Sequence, residues 1–137
     1  MSSRFDTPTD AEDAYYDAIE EVDLDKMMSV CEDSTESTCL LPMRPLQNGI
    51  EAIRELWQPM LDPKMQLNIT VNHIQWIEQG DIAIHLLEEL VTLSETDERQ
   101  PPIYAINIYR RGDDGWRLLS HINSPAPPPP DMILPNL

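Results

Sequence analysis

The stretch QLNITVNHIQWIEQGDIAIHLLEELVTLS, residues 66–94, decides the fold. From Gln66 the pattern has a period of two, with Leu67, Ile69 and Val71 on one face, and the apolar phase then switches to Ile74 and Trp76. A slip of one residue near Asn72 or His73 is the mark of a β-bulge, which bends a long strand. Gln79-Gly80-Asp81 turns the chain, and a second strand is predicted from Ile82 to about Ser94. In it Ile82, Ile84 and Leu86 share one face and Ala83, His85 and Leu87 the other. A strand apolar on both faces has to be covered on both.

Working toward the C-terminus, the polar run Glu95 to Gln100 leads into a strand from Ile103 to Arg111. Gly112-Asp113-Asp114-Gly115 makes the tightest hairpin, and Trp116 to Asn123 is the last strand. After Ser124, Pro-Ala-Pro-Pro-Pro-Pro ends the sheet and favours polyproline II. We therefore divide the chain into a domain of residues 1–127 and a Pro-rich tail of residues 128–137, whose apolar Met-Ile-Leu is expected to dock on a groove.

Toward the N-terminus the period becomes helical. Thr9 and Glu12 have capping-box spacing, and Ala11, Ala14, Tyr15, Ala18, Ile19 and Val22 form one stripe behind them. Asp23 caps a shorter helix through Leu24, Met27, Met28, Val30 and Cys31. Thr38 to Leu41 reads as a short strand stopped by Pro42, and Pro45 confines the next residues to an edge or turn. Asn48 caps a third helix through Ile53, Leu56, Trp57 and Met60 that kinks or stops near Pro59. The sum is an α+β domain in which a bent antiparallel sheet wraps three N-terminal helices and leaves a cavity.

The chain of 137 residues has 9 basic and 25 acidic side chains, a formal charge of −16 that repels phosphate backbones. Nucleic acid is therefore not an expected partner. Residues 5–36 hold 12 of the acids and only Lys26, a pattern read as a solvated helix face. No stretch approaches the roughly 18–20 apolar residues of a membrane span, and the first ten residues lack the apolar core of a signal peptide. No membrane partner is expected, and the expected location is cytoplasmic. Cys31 and Cys39 are accordingly expected to stay reduced.

The residues also resemble a known family. Ala14-Tyr15-Tyr16 through Asp23-Leu24-Asp25, Cys39, Gly49 with Trp57, Gly80-Asp81-Ile82-Ala83 with His85 and Glu89, Ala105-Ile106-Asn107, and Gly115-Trp116-Arg117 leading to His121 and Ser124-Pro125 are similar to the SnoaL-like branch of the nuclear transport factor 2-like superfamily. The resemblance spans roughly residues 10–127 and implies a cone of sheet and helices, with a dimer through the outer sheet face. That superfamily includes isomerases, dehydratases, cyclases, transport adaptors and oligomerisation domains. Leu41 and Ile122 stand where histidine is common in the family.

The candidate chemistry lies on the strands. Pairing Ala105 with His121 puts Asn107 opposite Leu119, with Asn107 and His121 on one face and within side-chain reach. Glu89 comes near Ile108, which sets Glu89 and His121 about 14 Å apart by backbone, and His85 lies ~13 Å further along. No metal site is expected from His85 and His121, nor from any other spacing, and no cofactor is expected. The functional reading makes Glu89 or His121 a general base on a carbon acid, with Asn107 and Tyr15 donating to the developing oxyanion and Trp57 and His85 lining the ligand site. The alternative is that His121 and Asn107 satisfy buried backbone groups, Glu89 faces solvent or a second subunit, and the aromatics are core. The expectation is thus a homodimer whose pocket takes a small apolar organic molecule, either as a cofactor-free isomerase, dehydratase or cyclase or as a non-catalytic binding or dimerisation module.

Overall fold

The computed structural model describes residues 4–93 and 101–124. The Pro-rich tail, and residues 94–100 with the polar run Glu95 to Gln100, lie outside the described residues. The elements are α1 (Pro8–Glu21), α2 (Leu24–Val30), β1 (Thr38–Leu40), β2 (Gln47–Asn48), α3 (Ile50–Met60), β3 (Leu67–Gln79), β4 (Ile82–Leu93), β5 (Ile103–Gly112) and β6 (Gly115–Asn123). This is the expected α+β order of helix, helix, strand, helix and meander. The six strands form one curled, unclosed sheet in the order β2-β1-β6-β5-β4-β3, antiparallel except where β1 runs parallel to β6.

Two helix starts differ from the reading of the sequence. The cap of α1 is Thr7, whose hydroxyl accepts from the Asp10 amide at 3.0 Å, because Pro8 fits the first helical position and begins the helix earlier. Glu12 is consequently not a capping residue but lies in the buried stripe with Ala11, Tyr15, Tyr16 and Ile19. The cap of α3 is Gly49 at φ +90°, because Asn48 is taken by β2, where it pairs with Thr38. Pro59 sits one residue before the end of α3, which stops there as expected.

Two bulges set which side chains face inward. In β3 the register shifts between His73 and Gln75, so that His73 pairs with Leu87 and Trp76 with His85. Ile74 is left over, and His73 and Trp76 stand on the same face. In β6 the register shifts where Ile108 faces Ser120 and Tyr109 faces Leu118. Leu119 is the extra residue, and the inward phase passes from Leu118 to His121 and Asn123.

The helices cover the inner face. Tyr15, Ile19, Met27, Ile53 and Trp57 pack with Ala83, Leu87, Ala105, Tyr109 and Leu118 in one buried cluster. The first described residues close one end: the Trp116 amide donates to the Phe5 carbonyl at 2.8 Å. The outer face keeps exposed apolar side chains, with Ile77 46%, Tyr104 49% and Ile106 38% accessible. No helix among the described residues is long and apolar enough to cross a membrane.

Candidate functional site

The inner face of the sheet and the buried stripe of α1 meet in a polar layer within the apolar core. Glu12 and Tyr16 come from α1, His73 from β3, His85 and Glu89 from β4, Asn107 and Tyr109 from β5, and His121 and Asn123 from β6. All but His73 are buried. A carboxylate buried this deeply is tolerated only where donors surround it.

Five of these side chains close a ring. Tyr16 donates its hydroxyl proton to Glu89 Oε2 at 2.7 Å and accepts from Asn107 Nδ2 at 3.1 Å. Asn123 Nδ2 donates to Glu89 Oε1 at 2.9 Å and to the Tyr104 carbonyl at 3.2 Å. His121 joins the two amides, with Nδ1 against Asn107 Oδ1 and Nε2 against Asn123 Oδ1 at 2.8 Å. Because Asn123 Nδ2 faces acceptors and Asn107 Nδ2 faces the Glu12 carboxylate at 3.2 Å, both amides turn oxygen toward the imidazole. Both ring nitrogens of His121 thus face amide oxygens, and Glu89 Oε2 lies 3.9 Å from Nε2.

The second half of the layer surrounds Glu12. Its Oε2 accepts from Tyr109 at 2.7 Å and from His85 Nδ1 at 2.8 Å, and its Oε1 faces His73 Nε2. Burial alone would push the Glu12 carboxyl up, but the bonds from His85, Tyr109 and His73 outweigh it and hold the group at about 2. Desolvation pushes the Tyr15 and Tyr109 hydroxyls well above their ordinary value, so both stay protonated donors.

Beside the ring lies a recess of about 170 Å³, lined by Tyr15, Trp57, Glu89, His121 and Asn123 among apolar side chains that include Ile19, Met60, Ile69, Val91 and Ile103. Two donors there are unspent. Trp57 Nε1 is buried beside the Cys39 thiol and has no oxygen or nitrogen acceptor among the described residues, and the Tyr15 hydroxyl has no hydrogen-bond partner among them. A larger surface groove of about 700 Å³ between residues 33–35 and the start of α3 contains none of the sequence-predicted site residues.

Four of the six candidate residues, Tyr15, Trp57, Glu89 and His121, thus line one recess. Asn107 and His85 are not in its lining, and both hydrogens of Asn107 Nδ2 are committed, to Glu12 and Tyr16. Three relationships differ from those expected of the sequence. Asn107 is directly opposite His121 rather than Leu119, because the hairpin pairs Gly112 with Gly115 and the Leu119 bulge shifts the register by one residue more. Glu89 pairs with Ile103 rather than lying near Ile108, and its side chain reaches within 3.9 Å of the His121 ring, whereas the expected backbone separation of about 14 Å left the two groups out of each other's reach. No close metal-type grouping is expected from sequence spacing, whereas Glu12, His73 and His85 have ligand-type atoms within 4.8 Å of one another, because the fold brings three separate elements together. Glu12, Tyr16, His73, Tyr109 and Asn123 are additions to the candidate set. An acid inside the apolar stripe of α1 was the signal for Glu12, and a bulge placed after His73 was the signal for His73.

No functionally curated protein matches the chain. A Thiobacillus denitrificans protein assigned as an association domain of calcium/calmodulin-dependent protein kinase type II is 35% identical over 90% of this chain and 98% of its own, with a TM-score of 0.83. At 22% identity, 86% and 92% coverage and a TM-score of 0.75, a Streptomyces avermitilis protein of the nuclear transport factor 2-like family, assigned as a dehydratase, shares the fold. So does a ketosteroid isomerase-like protein of Erwinia carotovora, at 14% identity, 87% and 92% coverage and a TM-score of 0.66. The fold is shared with these nuclear transport factor 2-like proteins, and the model of the SnoaL-like domain matches residues 9–128, which shows that the chain belongs to the SnoaL-like family.

Proposed function

We propose that the recess binds a small, largely apolar organic molecule bearing a carbonyl or hydroxyl oxygen, and that the side chains around it isomerise, dehydrate or cyclise that molecule by acid–base chemistry. The observation that carries this reading is the pairing, in one apolar recess, of a carboxylate with two donors that have no oxygen or nitrogen acceptor among the described residues. Glu89 takes the proton from carbon. Tyr15 and Trp57 donate to the oxygen on which charge develops, in place of Asn107. His121, with both nitrogens donating, acts as the fixed positive charge beside Glu89 rather than as a base. An apolar cavity of about 150 Å³ accepts benzene, so a recess of about 170 Å³ suits a ligand of about one ring.

The test is a thermal-shift screen of small carbonyl compounds and polyketide-like acids, with turnover assays of the hits. Hits should stabilise the wild type, lose that effect in Trp57→Phe or Tyr15→Phe, and be consumed by the wild type but not by Glu89→Gln. Stabilisation that all three variants retain would remove the recess from consideration.

A second reading is favoured by the Thiobacillus protein, whose assigned role is association. In it the cone serves assembly, and the recess holds a ligand without turning it over. Either reading uses a homodimer through the outer sheet face, where Ile77, Tyr104 and Ile106 lie exposed. Analytical ultracentrifugation should give a dimer that Ile106→Glu dissociates, and a wild-type monomer at high concentration would contradict the dimer.

A further inference from the structure

We infer that Glu12, His73 and His85 form a binding site for a divalent transition-metal ion, zinc foremost, separate from the recess. The juxtaposition is built by three elements: the first turns of α1 supply the carboxylate, the middle of β4 one imidazole, and the bulge of β3 the other. Without the bulge, His73 and Trp76 could not share a face. With it, the His73 ring turns to Glu12 Oε1 while His85 Nδ1 meets Oε2 at 2.8 Å, and the three ligand atoms lie within 4.8 Å of one another.

Hydrogen bonding to Glu12 engages one nitrogen of each imidazole but leaves the second nitrogen of His85 without a role. Buried histidines ordinarily satisfy both nitrogens. His85 is fully buried, yet its Nε2 has no partner among the described residues, so its only hydrogen bond among them is the one from Nδ1 to Glu12. Two imidazoles and a carboxylate are a known zinc donor set, one that leaves a coordination position for water. Supporting parts of such a site are present, save an outer partner for His85 Nε2. Tyr109 and Asn107 hold Glu12 from behind, and Trp76 lies against the His85 ring at 3.9 Å between centroids. The His73 side chain is 33% accessible and gives an entry path. Asp13, close enough for its charge to feel His73, adds to an acidic surface that concentrates cations.

The chain has three histidines, which makes the test clean. Untagged protein is titrated with Zn²⁺ while the ring signals are monitored by NMR, and Co²⁺ is added separately to read its visible absorption. Saturation at one equivalent is expected, with the His73 and His85 rings shifting, His121 unmoved, and a Co²⁺ spectrum of four or five ligands. His73→Ala should weaken Zn²⁺ by more than the roughly 10–100-fold that loss of an outer-shell partner costs. The proposal is overturned by the absence of saturable binding, by shifts confined to the acids of α1, or by unchanged affinity in His73→Ala. The wild-type spectra decide the matter even if that variant misfolds, and neither readout depends on the recess or on turnover.

Discussion

His121 and Glu89 stand 3.9 Å apart in the wall of the recess, on β6 and β4, with the Asn123 side chain hydrogen-bonded to both. Their opposition depends on the extra residue at Leu119. Deleting the bulge would turn His121 and Asn123 together to the outer face and leave Glu89 bonded only to Tyr16.

The donor count at His121 is directly measurable. Nitrogen-15 NMR of the ring should show both nitrogens carrying protons, each bonded to an amide oxygen. A ring with one bare nitrogen would mean that one amide is turned the other way, and it would restore His121 as a candidate base.

Gly115 marks where the beginning of the chain packs on the hairpin. It sits at φ +95°, and a Cβ there would lie 2.5 Å from the Phe5 carbonyl oxygen. Gly115→Ala should therefore cost at least about 2 kcal/mol in urea unfolding. Gly112→Ala, which meets nothing within 4 Å, should change stability little. Equal effects of the two would contradict the packing of Phe5.

The acid limb of the stability profile should reflect Glu32. Its bidentate bonds from Arg110, at 2.8 and 2.6 Å, hold the carboxyl below its ordinary range. A group depressed on folding contributes stability above its unfolded value and loses it as pH falls through the folded one. Arg110→Met should therefore be less stable than wild type at neutral pH, with the gap closing below the ordinary carboxylate range. A gap that stays constant with pH would show that the pair contributes nothing through charge.

The chain's periodicities carried most of the fold. The run of 66–94 alternates and slips, the hairpin at 112–115 is spelled by two glycines, and three helices show apolar stripes. The registers could not be read. Local alternation does not say which residue a partner strand faces, and a bulge of one residue at Leu119 or Ile74 exchanges inner and outer faces. Glu12 was hidden differently, since its spacing to Thr9 mimics a capping box while Pro8 had already begun the helix. The lining of the recess was half legible. Tyr15 and Trp57 lie on predicted apolar helix stripes and His121 on a face shared with Asn107, whereas the bonds that tie Glu89 and His121 together through Tyr16, Asn107 and Asn123 come from long-range pairing.

The central claim is that the recess takes a small oxygen-bearing apolar molecule, and NMR of a screened hit tests it most directly. Titration should shift the Trp57 indole proton downfield and move the methyl signals of Ile69, Ile103 and Met60, which line the recess. Ile84 and Ile106 on the outer face should stay still. Shifts at those two residues without change at Trp57 would place the ligand outside the cone and contradict the account.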